Sequence, residues 1–150
     1  MTFFADSAAL VKLYVPESQH EVVRSLGASL VIAGTARVEV PAAFWRKYRL
    51  GEISVDAAAL FSRAFEADLA PDDDSPLRLA VLDANDVVLD GARNLVARHP
   101  LRAYDAIQLS SALVARQVLD GLEGRAAFDR SLRTAAVAEG LRVVPEVVNS

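Results

Sequence analysis

Asp6, Glu39, Asp105 and Asp129 are the residues whose type and setting could do chemistry. Each is an acid among apolar neighbours, in Phe4-Ala-Asp6-Ser-Ala, Val38-Glu39-Val40, Asp105-Ala-Ile and Phe128-Asp129. A carboxylate is expensive to bury unless a cation meets it. Four of them gathered without one would push each other's pKa values upward. A divalent cation removes that conflict. The chain has no cysteine, and its only histidines are His20 and His99, so an all-oxygen donor set selects Mg2+ or Mn2+ over zinc. One or two such ions, about 4 Å apart when paired, polarise a phosphodiester, activate water for in-line attack and stabilise the leaving oxygen. Taken singly, each acid also has a plainer reading. Asp6 and Asp129 suit helix N-caps. Glu39 suits a solvated first-turn glutamate, and Asp105 a first-turn acid favoured by the helix dipole by about 0.3–1 kcal/mol.

The elements that must position these acids can be read from the apolar patterning. Thr2 to Ala5 is short, apolar and β-prone, and ends at Asp6. Ser7 to Tyr14 reads as a helix closed by Val15-Pro16, because the residue before proline is pushed out of the α region. Ser18 to Leu26 is predicted as a second helix, stopped by Gly27, and Leu30 to Ala33 as the second strand. Thr35 is expected to cap a helix reaching Tyr48, with Val38, Ala42 and Trp45 on one face and Val40, Ala43 and Phe44 on its flank. Pro41 is tolerable so near the first turn, where few amides need partners. Ser54 caps a helix from Val55 to Ala70, and Leu77 to Leu82 is predicted as the third strand.

Asp86 to Arg98 reads as a helix with Val87, Leu89, Ala92, Leu95 and Val96 as its buried candidates. The next helix starts near Ala103 and runs to Leu119, with Ala106, Ile107, Leu109, Ala112, Leu113 and Ala115 at steps of three and four. Gly121 to Arg125 is expected to be a loop and Ala126 to Phe128 a brief strand. Arg130 to Glu139 is then a helix, and Leu141 to Val144 the last strand. Such alternation predicts a mostly parallel sheet with helices on both faces. Ligands bind such sheets beyond the carboxyl ends of the strands, where the strand order reverses. Asp6 and Asp129 each follow a strand directly. Helices starting at the same edge would bring Glu39 and Asp105 within reach.

Composition narrows the class. A chain of 150 residues, just over half of them apolar, makes one domain with an adequate core, 1–150. No apolar run approaches the roughly 18 residues of a membrane span, and the N-terminus lacks the basic start of a signal peptide, so a cytoplasmic location is expected. A net charge of −4 argues against holding nucleic acid by bulk electrostatics. Arg46-Lys47-Tyr48-Arg49 could still be a local cationic surface, or simply the solvated end of an amphipathic helix. The three aspartates of Pro71-Asp-Asp-Asp-Ser-Pro76 read as an exposed loop.

At this point the motifs resemble a known family. Phe4-Ala-Asp6-Ser-Ala-Ala-Leu-Val-Lys-Leu-Tyr14, Val38-Glu39-Val40, Leu101-Arg-Ala-Tyr-Asp105-Ala-Ile-Gln-Leu109 and Phe128-Asp129-Arg-Ser-Leu132, in that order, look like the PIN-domain ribonucleases, closest to the VapC-type toxins of type II toxin–antitoxin pairs. The resemblance runs nearly end to end. It implies an α/β PIN-like fold, a three-layer α/β/α sandwich around a mostly parallel sheet of about five strands. It also implies Mg2+- or Mn2+-dependent cleavage of RNA, often transfer or ribosomal RNA, a VapB-like antitoxin partner, and a homodimer for which Trp45 and the nearby apolar helices could supply a surface. Carried over residue by residue, Asp6, Glu39, Asp105 and Asp129 become the catalytic and metal-site acids, and Ser7 a supporting hydroxyl. Arg46, Lys47, Arg49 and Arg102 are candidates for steering RNA. One departure stands out: before the last acid the family often shows a hydroxyl residue and a longer β-run, whereas Gly124-Arg-Ala-Ala-Phe128 is short and its start is charged.

Two other classes compete with that reading. A catalytically silent module could receive a partner's arginine in the same acidic pocket, since arginine meets carboxylates through paired hydrogen bonds. A haloacid-dehalogenase-like phosphatase or a phospho-receiver domain also carries an aspartate after its first strand. It fits less well, because position 8 is alanine rather than a second aspartate and no glycine-rich phosphate loop is present.

Overall fold

The computed structural model describes residues 2–27 and 29–147. In chain order its elements are β1 (Thr2–Ala5), α1 (Ser7–Tyr14), α2 (His20–Arg24), β2 (Ser29–Ala33), α3 (Ala36–Arg49), α4 (Val55–Leu69), β3 (Arg78–Leu82), α5 (Asp86–Arg98), α6 (Ala103–Val118), β4 (Leu122–Ala126), α7 (Arg130–Ala138) and β5 (Val143–Val144). The strands form one all-parallel sheet in the order β3-β2-β1-β4-β5. Strand β1 therefore lies at the centre. From it the chain builds outward through β2 and β3, then returns to its other side as β4 and β5, which makes the β1/β4 boundary the topological switch point.

Side-chain alternation along β1 sorts the core into two layers. Phe3 and Ala5 join Leu10, Val23, Val40, Phe44 and Phe65 under α1 to α4, where Tyr14 stacks on Phe65 with ring centres 5.9 Å apart and meets Phe44 edge-on at 5.8 Å. Phe4 joins Leu95, Leu109, Ala112 and Leu132 under α5 to α7. The result is the expected three-layer α/β/α sandwich. Burying each of these large apolar side chains contributes about 1.5–3 kcal/mol. No described helix is long and apolar enough to cross a membrane.

Several expectations are corrected. Strand β4 is Leu122–Ala126, so Gly121 to Arg125 is largely strand rather than loop, while Ala127 and Phe128 lie beyond it. Glu, Gly and Arg are poor strand formers, but here both backbone edges find partners, β1 on one side and β5 on the other, and tertiary pairing overrides propensity. Gly124 is needed for that closeness, since a Cβ there would lie 2.7 Å from the Arg142 carbonyl oxygen. On α3 the buried face is Ala36, Val40 and Phe44, whereas Val38 is 73% exposed and Ala42 is also exposed. On α5 Val88, Ala92 and Leu95 are buried, and Val87, Leu89 and Val96 are exposed. In both helices apolar residues occupy more than half the circumference, so periodicity leaves the phase undecided. Helix α2 starts late, at His20, because Gln19 is in the left-handed conformation (φ 63°).

Candidate active site

Asp6 follows β1 directly, and its N–H donates to the Ala126 carbonyl at 3.2 Å, continuing the β1–β4 ladder by one step. This places Asp6 at the switch point. Its Oδ1 accepts a hydrogen bond from the Ala9 N–H at 2.8 Å, capping α1, while Oδ2 lies 3.8 Å from Nη2 of Arg125. Cap and site residue are thus the same side chain, one oxygen serving each. Asp6 is only 3% exposed. Burial pushes its carboxyl up to about 6. Arg125 and the Ala9 hydrogen bond oppose that rise, and the charges of Asp105 and Asp129 add to it.

Asp105 stands in the first turn of α6, half-buried, and accepts a hydrogen bond at Oδ2 from Nε of Arg102 at 3.1 Å. Asp129 caps α7, its Oδ1 accepting from the Leu132 N–H at 3.0 Å, and it is exposed. Its position is supported by the preceding Phe128, whose ring centre lies 4.6 Å from Nζ of Lys12 on α1. Glu39, in the first turn of α3, reaches the same edge through an intermediary. Nε2 of Gln108 on α6 donates to Glu39 Oε1 at 3.1 Å and to Ser7 Oγ at 2.8 Å. Gln108 is 2% exposed and its Oε1 has no hydrogen-bond partner among the described residues.

The four acids thus stand on four elements around one sheet edge: Asp105 and Asp129 lie near enough for their charges to act on Asp6, and Glu39 is tied to the edge through Gln108. Gln108 was not singled out from the sequence. Its signal was a polar residue three positions after Asp105, on the buried stripe of α6. Of the basic candidates, Arg102 is at this edge, where it also feels the charge of Asp129. The others sit at the far end of α3. Lys47 pairs with Glu17 at 2.7 Å and Glu52 at 3.5 Å, and Arg46 and Arg49 are exposed.

No family model matches the chain, and no curated protein matches it in sequence. Solved structures do match in three dimensions. The crystal structure of VapC20 from Mycobacterium tuberculosis, a sarcin-ricin-loop-cleaving toxin, is 17% identical, with a TM-score of 0.58 over 98% of this chain and 99% of that one. A toxin–antitoxin complex from Klebsiella pneumoniae is 15% identical, with a TM-score of 0.58 over 99% and 100% of the two chains. This chain has the fold of a VapC-type PIN toxin.

Within this PIN fold, the donor chemistry at the edge suits a hard divalent cation. The candidates are all oxygens, burial and neighbouring negative charge raise the Asp6 carboxyl, and Gln108 Oε1 is an unsatisfied buried acceptor. Among the described residues, no three His, Asp or Glu side chains converge tightly enough to ligate one ion by themselves. The PIN edge also carries a cation of its own. Arg125 is fully buried, its guanidinium lies 5.5 Å from the centre of the Phe4 ring, and Nε, Nη1 and Nη2 find no hydrogen-bond partner among the described residues. Burial lowers the Arg125 pKa, against the pull of Asp6 and Asp105.

Proposed function

We propose that this chain is a Mg2+- or Mn2+-dependent endoribonuclease of the VapC type, restrained by a cognate antitoxin. The observation that carries the reading is Asp6: a buried carboxylate at the switch point of a PIN fold, inside the field of Asp105 and Asp129. Asp6 and Asp105 would hold the ion, with Glu39 and Asp129 at its flanks. When bound, the ion supplies positive charge at the scissile phosphodiester and makes water acidic enough to attack it near neutral pH. The chain's own residues set the geometry around it. Gln108 fixes Ser7 and Glu39 in one orientation, and the Ala9 N–H fixes the rotamer of Asp6. Arg102, exposed at the rim, is the residue best placed to meet an incoming phosphate.

The fold likeness to a sarcin-ricin-loop-cleaving toxin and to a toxin–antitoxin complex supports RNA as substrate and an antitoxin as partner. A homodimer, as the resemblance implies, belongs to the same proposal. The test is cleavage of total RNA by the antitoxin-free chain, with and without Mn2+, beside an Asp6→Ala control. Discrete fragments that require both Mn2+ and Asp6 are expected. Cleavage that persists in Asp6→Ala, or none at any Mn2+ concentration from a folded chain, would overturn the reading.

A further inference from the structure

The sheet register sets Phe4 and Arg125 side by side on neighbouring strands, under the layer of α5 to α7. Arginine is always charged under ordinary conditions and offers five N–H donors. Burying it with none of them hydrogen-bonded is costly unless opposite charge stands close. That charge is at hand, since Asp6 Oδ2 is 3.8 Å from Nη2 and the field of Asp105 also falls on the guanidinium. The face of Phe4 covers part of the remaining surface. A separation of 3.8 Å is an ion pair but not a hydrogen bond, so Arg125 neutralises Asp6 without occupying the Oδ2 lone pairs. The guanidinium thus does for charge what a metal ion would do and leaves the donor atom free.

Resting on the metal-dependent reading above, we propose that Arg125 is the resident cation of this edge. It holds the charge that one divalent ion would otherwise bring beside Asp6. The chain therefore binds a single divalent ion there, more weakly than it would with a neutral residue at position 125. Arg125 is on this view a positioning residue that sets metal number and affinity.

The experiment titrates Mn2+ into the full antitoxin-free chain at pH 8, by calorimetry and by the Mn2+ paramagnetic resonance signal, for the wild type, Arg125→Met, Arg125→Lys and Asp6→Asn. Arg125→Met keeps the length of the stem and drops the charge; Arg125→Gln replaces it should the methionine chain not fold. The neutral variant is expected to bind Mn2+ at least tenfold more tightly than wild type, or to take a second ion, while Arg125→Lys stays within threefold of wild type. Unchanged affinity and stoichiometry in the neutral variant, with wild-type binding that Asp6→Asn abolishes, would overturn the role of Arg125 and leave the metal-dependent reading standing. Absence of Mn2+ binding in both wild type and the neutral variant would overturn the two together. A readout without metal accompanies these: in chelator, Asp6→Asn should lower Tm in wild type, where it leaves the buried guanidinium unpaired, and raise it in the Arg125→Met background, where the deleted charge had no cation beside it. Equal shifts in the two backgrounds would also overturn the proposal.

Discussion

At the scale of single residues, Asp105 separates a chemical role from a structural one. Among the described residues its side chain is hydrogen-bonded to Arg102 alone, which is 84% exposed, and a pair so open to solvent contributes about 0–1 kcal/mol. Against this stands the repulsion from Asp6. Asp105→Asn should therefore abolish Mn2+-dependent cleavage while melting no lower than wild type in chelator. A clear drop in Tm would assign Asp105 to the scaffold. Glu139 is the opposite case, an acid with a purely structural task. It accepts hydrogen bonds from Arg98 and His99, the latter at 3.0 Å, and these hold its carboxyl below the usual range. A lowered carboxyl pKa stabilises the fold above the ordinary value and gives up that contribution as the pH falls through the folded one. Glu139→Gln should lower Tm at pH 7 by an amount equivalent to about 1 kcal/mol or less, and the two chains should converge as the pH falls below the ordinary carboxylate range. Parallel Tm curves across that range would refute the assignment.

At the scale of elements, the site depends on α6 being held at a fixed height against α5. Gly91 on α5 faces Ser110 on α6 so closely that an added Cβ would lie 2.5 Å from Ser110 Oγ, which is itself donating to the Val88 carbonyl at 2.6 Å. Gly91→Ala should cost about 1–3 kcal/mol through overpacking, despite the better helix propensity of alanine. Ser110→Ala in the same chain should recover part of it. Urea denaturation gives both numbers, and a neutral or stabilising Gly91→Ala would show that the two helices can separate freely. Local punctuation explains which elements could be read from the chain in advance. Helices α1 and α5 have the predicted boundaries because each carries its own punctuation: Asp6 and Val15-Pro16 for the first, Asn85 and His99-Pro100 for the second. Strand β4 has none. Its residues Glu123, Gly124 and Arg125 are strand only because β1 and β5 lie on either side.

At the scale of the whole molecule, an acidic chain of net charge −4 has to approach a polyanion. Arg102 and Arg130 stand beside the candidate acids, whereas Arg24, Arg46, Arg49 and Arg63 are exposed on α2, α3 and α4, so few cations meet RNA at the site itself. Each phosphate neutralised on a single strand adds about −0.7 to the slope of log affinity against log salt. Binding of RNA by the Asp105→Asn chain should accordingly show a slope shallower than about −2 between 50 and 200 mM KCl, measured by fluorescence anisotropy. A steeper slope would mean that the exposed arginines of α2, α3 and α4 also contact RNA.

What the sequence determined alone was local: alternating short strands and helices, two acids at helix caps and two in first helical turns, because caps, prolines and apolar periodicity act within a few residues. The tertiary structure decided whatever depends on residues far apart in the chain meeting. It turned α3 so that Val40 and Phe44 face inward, set Gln108 between Ser7 and Glu39, and buried Arg125 beside Asp6. The energy of each of those contacts is fixed by partners well beyond the reach of one turn or cap, up to 101 residues away for Gln108 and Ser7, and no local pattern carries that information.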